Sequence, residues 1–406
     1  MSTLKVNTVL SADTPTVNIT DGINVTGVST VTTLNTTNLI NATQLSHRNL
    51  IINGAMQVAQ RATSYSGSSA STGYHTLDRF SVEEGGVDES GTKEQAAVTS
   101  GGAYDSGFRN CLKITNGNQT GGAGASDYVQ IMQRIEAQNI ANSGWNYLSS
   151  SSFITLSFWV KSSVAQVFSG SLRTADGTSY SYKFDTPSLS ANTWTKVTKT
   201  IPGNSNLQFD DDNETGLSLY LYPFLGTTYT SSNANTETWI TAATTTYSNN
   251  MTSTWYTTND ATFETTGWQF EVGSVATPFE FRSYGDELAH CQRYFYMHAN
   301  GSVDGNSGNC ALSDNATAYN GTTCFFSVPF PVTMRSKPSL IASNGSGDYG
   351  YYVNGGSLTG FDTISLDGVT TRTVGNVNFS GSFSGGQAVL VRTKTSDATM
   401  AFSAEL

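Results

Sequence analysis

The chain has 406 residues, of which 13% are charged and 37% hydrophobic, with 39 glycines and a formal net charge of −11. Soluble domains carry about 25% charged residues; here serine, threonine, asparagine and glycine fill the gap, and these favour turns and strand surfaces over helix interiors. The acidic balance, with no basic cluster, excludes nucleic-acid binding and attraction to anionic lipid. No run approaches the roughly 20 apolar residues of a membrane span, and residues 1–7 lack the apolar core of a secretory signal.

Synthesis in a cytoplasm as a soluble protein is therefore expected. Four cysteines, Cys111, Cys291, Cys310 and Cys324, show no metal-ligand spacing. They read as buried free thiols, with a Cys310–Cys324 bridge across a hairpin as the alternative.

Residues 1–48 contain no Trp, Tyr or Phe and run as short Val/Ile/Leu pulses among Thr, Asn and Ser. Their period of two is a strand signal. One copy cannot bury enough surface to offset its ordering entropy. The segment reads as an extended attachment segment, held by a partner or by intertwining in a homotrimer; a flexible tail is the alternative.

Residues 49–284 read as one jelly-roll β-sandwich. Asn49-Leu50-Ile51-Ile52-Asn53-Gly54 and Trp268-Gln269-Phe270-Glu271-Val272 look like its opening and closing strands. Between them Val129, Ile131, Gln133 and Ile135 share one face, and residues 153–161 and 194–201 alternate or are rich in β-branched and aromatic residues. Short strands at this spacing imply a sandwich or jelly roll.

Residues 226–262, low in complexity, read as a long insertion loop. Asp286, Glu287 and Arg293 bracket a short helix whose charges match its dipole, read as a hinge. Residues 285–406 read as a second, smaller β-sandwich at the distal end.

Several of these motifs carry a resemblance. Asn49 to Met56, Asp78-Arg79-Phe80, Phe158-Trp159-Val160-Lys161, Glu271-Val272-Gly273 with Ala276 to Glu280, Cys291-Gln292-Arg293-Tyr294-Phe295, and Phe330 to Arg335 with Pro338 together resemble a family of bacteriophage tail-fibre and virion structural proteins, common among marine and cyanobacterial phages. The start, Ser2 to Asn7, is similar to N-termini of such fibres. The match covers most of the chain, and the order of the motifs is more specific than any one of them.

The central region also resembles carbohydrate-binding jelly rolls. The resemblance implies a virion appendage. It is often a homotrimer, joined to other virion proteins by its N-terminal segment, and touches host surface glycan. A capsid-bound fibre or decoration protein without adhesive role, and a polysaccharide depolymerase, are the alternatives. The resemblance supplies no ligand residues.

Candidate chemistry is sparse. Trp239 and Trp255, with Tyr229 and Tyr256, lie in the polar insertion, and Tyr349, Tyr351 and Tyr352 lie near the distal end. Flat aromatics pack on sugar faces, so Trp239, Trp255, Tyr256, Tyr349, Tyr351 and Tyr352 are the glycan-binding candidates, against packing in a core or between subunits. Trp159, Trp194 and Trp268 read as core.

Asp210, Asp211, Asp212 and Glu214 are the candidates for a structural calcium, since hard oxygen ligands suit that ion; a solvated acidic loop is the alternative, and no other cofactor is expected. Gly345-Ser346-Gly347-Asp348-Tyr349-Gly350 matches GxGxxG, but a strand-like segment follows it where a nucleotide fingerprint needs a helix. Glu83, Glu84, Asp88, Glu89, Glu136, Glu264 and Glu271 show no pairing that would set two carboxylates across a glycosidic bond. No catalytic residue is assigned.

Overall fold

Successive side chains leave a strand on opposite faces, and the alternating segments of this chain become strands for that reason. The computed structural model describes residues 47–67, 73–232, 235–302, 309–372 and 374–406; most of the expected attachment segment, residues 1–46, lies outside them.

In chain order the elements are β1 (Ser64–Tyr65), β2 (Ser81–Gly85), β3 (Thr92–Ala97), α1 (Gly101–Asp105), β4 (Asn110–Thr115), β5 (Tyr128–Glu136) and α2 (Ala137–Ala141). Then come β6 (Phe153–Ser162), β7 (Ser169–Thr174), β8 (Tyr180–Asp185), β9 (Thr195–Pro202), β10 (Thr215–Leu225), β11 (Thr230–Ser231), β12 (Trp239–Thr241), β13 (Ser248–Asn249) and β14 (Thr262–Val272). After α3 (Tyr284–Gln292) follow β15 (Phe295–Asn300), β16 (Ala311–Ala318), β17 (Thr323–Phe326), β18 (Ser339–Ala342), β19 (Tyr349–Tyr352), β20 (Thr359–Phe361), β21 (Ser365–Val369), β22 (Val374–Ser380), β23 (Ala388–Thr393) and β24 (Thr399–Ser403).

Two six-stranded antiparallel sheets, ordered β1-β3-β4-β14-β6-β9 and β12-β8-β7-β10-β5-β2, form a sandwich. Its core joins Leu112, Leu156, Phe158 and Trp268 of the first sheet to Ile131, Leu172, Leu219 and Phe184 of the second. Trp268 stacks on Phe158 at 5.1 Å and meets Phe80 edge-on at 5.5 Å. Trp159 and Trp194 do not join this core; they are half-buried outside it, with the Lys161 ammonium over the Trp194 ring.

A second β unit pairs a three-stranded sheet, β15-β24-β18, with a seven-stranded sheet, β20-β19-β23-β16-β17-β22-β21. Met400 and Phe402 from one and Val377, Phe379, Val389 and Val391 from the other share one apolar cluster.

The opening segment corrects the sequence-based expectation. Residues 49–54 are not a strand. They hold the end of the sandwich through side chains instead. Asn49 Oδ1 accepts from the amides of Ile51 and Phe270, its Nδ2 donates to the Trp268 carbonyl at 3.0 Å, and its own amide donates to Glu280 Oε2 at 2.9 Å. Asparagine can accept and donate at once, which a strand-forming residue at position 49 would not.

The helix forms where expected, and its cap and side chains tie it to the residues before it. Ser283 caps its first turn through the Asp286 amide. Buried Glu287 accepts from the Asn53 amide and from Arg282.

Where the two β units meet, the polar residues of the resembling motifs converge. Arg79, fully buried with φ of 68°, pairs with Glu405 and lies 3.6 Å over the Tyr294 ring. Arg61 stacks on Phe295 at 3.5 Å. Glu136 is buried and accepts both Arg293 bonds at 2.8 Å plus the Tyr294 hydroxyl. Burial pushes the Glu136 carboxyl up, but the Arg293 and Tyr294 bonds outweigh it and hold it below its ordinary value.

Candidate functional site

The residues singled out from sequence do not assemble into a surface site. Trp239 belongs to β12 and extends the second sheet by pairing with Tyr182, its indole donating to the Pro202 carbonyl at 2.8 Å. The expected insertion loop is thus partly sheet, and its aromatics mostly turn inward. Trp255 and Tyr256 are both 0% exposed; Trp255 donates to the Thr262 carbonyl, and Tyr256 stacks on Phe224 at 4.4 Å and donates to Asp127.

In the distal unit Tyr349 and Tyr351 are buried among Phe361, Phe379 and Phe383, and only Tyr352 of that group is half-buried. A ring covered on both faces has none to offer a sugar, so five of the six glycan candidates are core residues. Hydrophobic burial of a large ring outweighs anything solvent exposure would provide.

The acidic run is not drawn together either. Asp211 accepts from Asn142, Asp212 Oδ1 from the Glu214 amide, and Glu214 pairs with Arg335, while the Asp210 amide donates to Asp176. Its carboxylates are occupied by neighbouring protein donors, and Asn213 exchanges bonds with Arg335 of the second β unit. Among the described residues no group of three His, Cys, Asp or Glu is placed to hold a metal ion. The GxGxxG segment runs into β19 instead of a helix, and Asp348 accepts from the Gly345 amide and from Thr395. The four cysteines are free, and burial pushes the Cys111 and Cys324 thiols up to about 12.

An open aromatic cleft lies instead on the outer face of the second sheet. Alternation along β5 sends Val129, Ile131 and Ile135 into the core and leaves Tyr128 and Gln130 outside, half-buried. A register shift in β10 between Leu221 and Phe224 brings Leu225 opposite Tyr128. The chain then turns back over the sheet, and the Tyr247 amide donates to the Tyr229 carbonyl. β11 and β13 pair in parallel there, with Lys183 of β8 bonding Ser231 and Asp185 bonding Asn249.

Tyr128, Gln130, Leu225, Tyr229 and Tyr247 line a cleft of about 200 Å³. Its rings stand at right angles: Tyr128 to Tyr229 at 5.7 Å and 84°, Tyr229 to Tyr247 at 6.2 Å and 89°. Tyr247 is backed by Tyr220 at 5.8 Å and by the Arg173 guanidinium at 3.7 Å. Gln130 Nε2 donates to Glu83 at 2.8 Å, which fixes the amide and turns its oxygen free of any protein donor among the described residues. Burial and then the nearby Glu83 charge raise the Tyr128 phenol above its ordinary value, so it stays a hydrogen-bond donor.

The arrangement offers flat apolar ring surface beside amide, phenol and carboxylate groups. A ring with two edges of hydroxyls and an apolar face fits such a wall. Of the sequence candidates only Tyr229, a companion residue, is here; Tyr128, Gln130 and Tyr247 were missed. The usable signal was the inward face of β5: if Val129 and Ile131 point in, Tyr128 and Gln130 point out.

No protein-family model matches the chain, and no curated protein sequence does. Among solved structures, it is similar to the enzymatically active domain of bacteriophage CBA120 tailspike protein 4, at 10% identity and TM-score 0.29, covering 55% of this chain and 21% of that one. It is similar to a putative sugar binding protein of Bacteroides thetaiotaomicron, at 12% identity and TM-score 0.31, covering 55% of this chain and 100% of that one. A family 11 carbohydrate-binding module of Clostridium thermocellum, in complex with a β-1,3-1,4-mixed-linked tetrasaccharide, matches at 12% identity and TM-score 0.24, covering 50% of this chain and 95% of that one. At this level of similarity none of them bears on the activity of this chain, which is read from its own residues.

Proposed function

We propose that this chain is a glycan-binding structural protein of a virion appendage, a phage tail fibre, attaching the particle to host surface glycan. The observation that carries the binding half is the cleft walled by Tyr128, Tyr229 and Tyr247 over Gln130. Half-buried tyrosines at right angles, beside a tethered amide, suit a pyranose. The virion half rests on the ordered motifs from Asn49 to Arg335 that resemble tail-fibre proteins. On this reading the protein is a homotrimer joined to other virion proteins through residues 1–48, binds without cleaving, and needs no metal.

A glycan array tests the binding. The wild type is expected to give signal on host-type polysaccharide, and Tyr229→Ala or Tyr247→Ala to lose about tenfold or more in affinity while unfolding like the wild type. An array that stays blank, or variants that bind equally well, would refute the cleft. Chelation by EDTA is expected to leave the melting temperature unchanged, and incubation to leave polymer viscosity unchanged. A fall in viscosity would move the protein to the depolymerases.

A further inference from the structure

Beyond Gln130 the side chains on the same face of β5 are Met132, 1% exposed, and Arg134, and the seven residues of strand from Tyr128 to Arg134 span ~20 Å. Glu83 of β2, bonded to Gln130, also lines a second cavity of about 450 Å³. That cavity lies on the seam between the two β units. Arg61, Tyr74 and Arg134 line it from the sandwich, and Ser339, Ile341 and Ser403 from the second unit.

Two features of this cavity point to a ligand. The Tyr74 side chain is 7% exposed, and its hydroxyl is buried with no hydrogen-bond partner among the described residues. A buried hydroxyl left unpaired is costly, and a polar group arriving from outside removes that cost. Ile341, on the edge strand β18, is 49% exposed and gives the cavity an apolar wall. The charges around it are of both signs, Arg61 and Arg134 against Glu83 and Glu405. Donors and acceptors of both kinds suit a ligand rich in hydroxyls better than a single anion or cation.

We propose that the two cavities are the ends of one groove along β5, and that the protein takes an internal stretch of a linear polysaccharide, with the second β unit forming half of the site. This rests on the cleft being a glycan site. It explains why the distal unit is bolted to the sandwich at this edge. Ser339, Ile341 and Ser403 keep their places in the groove because the ion pairs of Arg79, Arg293 and Arg335 hold the units together.

The test uses the full chain and size-fractionated fragments of the linear polysaccharides that bind on the array, measured by titration calorimetry. Affinity is expected to rise with fragment length until the groove is filled. Tyr74→Phe deletes a hydroxyl that bonds no group among the described residues, and Ser339→Trp blocks the seam from an edge strand. Each is expected to weaken binding of long fragments roughly two- to tenfold and to flatten the rise with length.

If affinity is flat with length, or both variants bind long fragments like the wild type while Tyr229→Ala loses binding at every length, the seam half is wrong and the cleft stands. If Tyr229→Ala binds as the wild type does, or the wild type binds no fragment, the cleft itself falls and the groove with it. Thermal unfolding of each variant confirms that it is folded.

Discussion

Asp78 shows how one buried carboxylate sets a pH dependence. It is fully buried, accepts from the amide and side chain of Gln60, and faces Arg61 at 3.7 Å and the Glu405 charge. Burial raises its carboxyl to about 6, against Arg61 and Gln60, which lower it. The folded state therefore binds this proton more tightly than the unfolded chain. Its contribution to stability is full below pH 3.8 and is lost as pH rises through about 6, a difference of about 3 kcal/mol. Asp78→Asn is expected to remove that slope; urea unfolding of both proteins across this window checks it, and an unchanged slope would place the titration elsewhere. At the same scale Asn53 holds five bonds through one side chain and its amide: to Val58 twice, to Gln57, to the Asp78 carbonyl and to Glu287. Asn53→Ala removes the four side-chain bonds, leaving the Gln57 and Val58 amides without that acceptor, and is expected to cost roughly 1–3 kcal/mol or more, read as a lower urea midpoint.

Among elements, β14 carries the sandwich. It pairs with both β4 and β6 and has a register shift between Thr266 and Gln269. Gly267 sits in that shift with φ of 67°, and a Cβ there would lie 2.6 Å from the Phe108 ring. Gly267→Ala is expected to cost of order 1–3 kcal/mol, because both backbone and ring resist it; a variant as stable as the wild type would show that the shift relaxes. Trp268→Ala removes the ring between Phe158 and Phe80 and is expected to cost roughly 3–5 kcal/mol. Both changes are seen by chemical denaturation. The strand alternations of β5, β6 and β9 were legible because each has one apolar face. The segment 226–262 was not, because Thr, Ser and Asn give no period, and its short strands are set by pairing, β12 on β8 and β11 on β13.

At the scale of the whole molecule, the seam decides behaviour. Arg79, Arg293 and Arg335 cross it to Glu405, Glu136 and Glu214, and the buried members cannot be left unpaired cheaply. The described β units are therefore expected to unfold together, in one transition seen alike by tryptophan fluorescence and by far-ultraviolet circular dichroism. Arg79→Ala is expected to lower that transition and to separate the two probes. Two transitions in the wild type would mean that the seam is weak. The motifs Asp78-Arg79-Phe80 and Cys291 to Phe295 are far apart in the chain and meet here, so their role is to join the units.

Composition and alternation by themselves determined the all-β class and most of the sandwich core, because burying one face of a strand leaves its mark every second residue. They also placed the helix at Asp286 and Glu287, since a dipole and a cap are local. Which aromatics face outward was decided by the tertiary structure alone. Trp255 and Tyr229 sit in equally polar sequence, yet one is sealed beneath Gln166 and Thr262 and the other walls an open cleft. A side chain's burial depends on what folds over it, and for Trp255 that includes Gln166, 89 positions away in the chain.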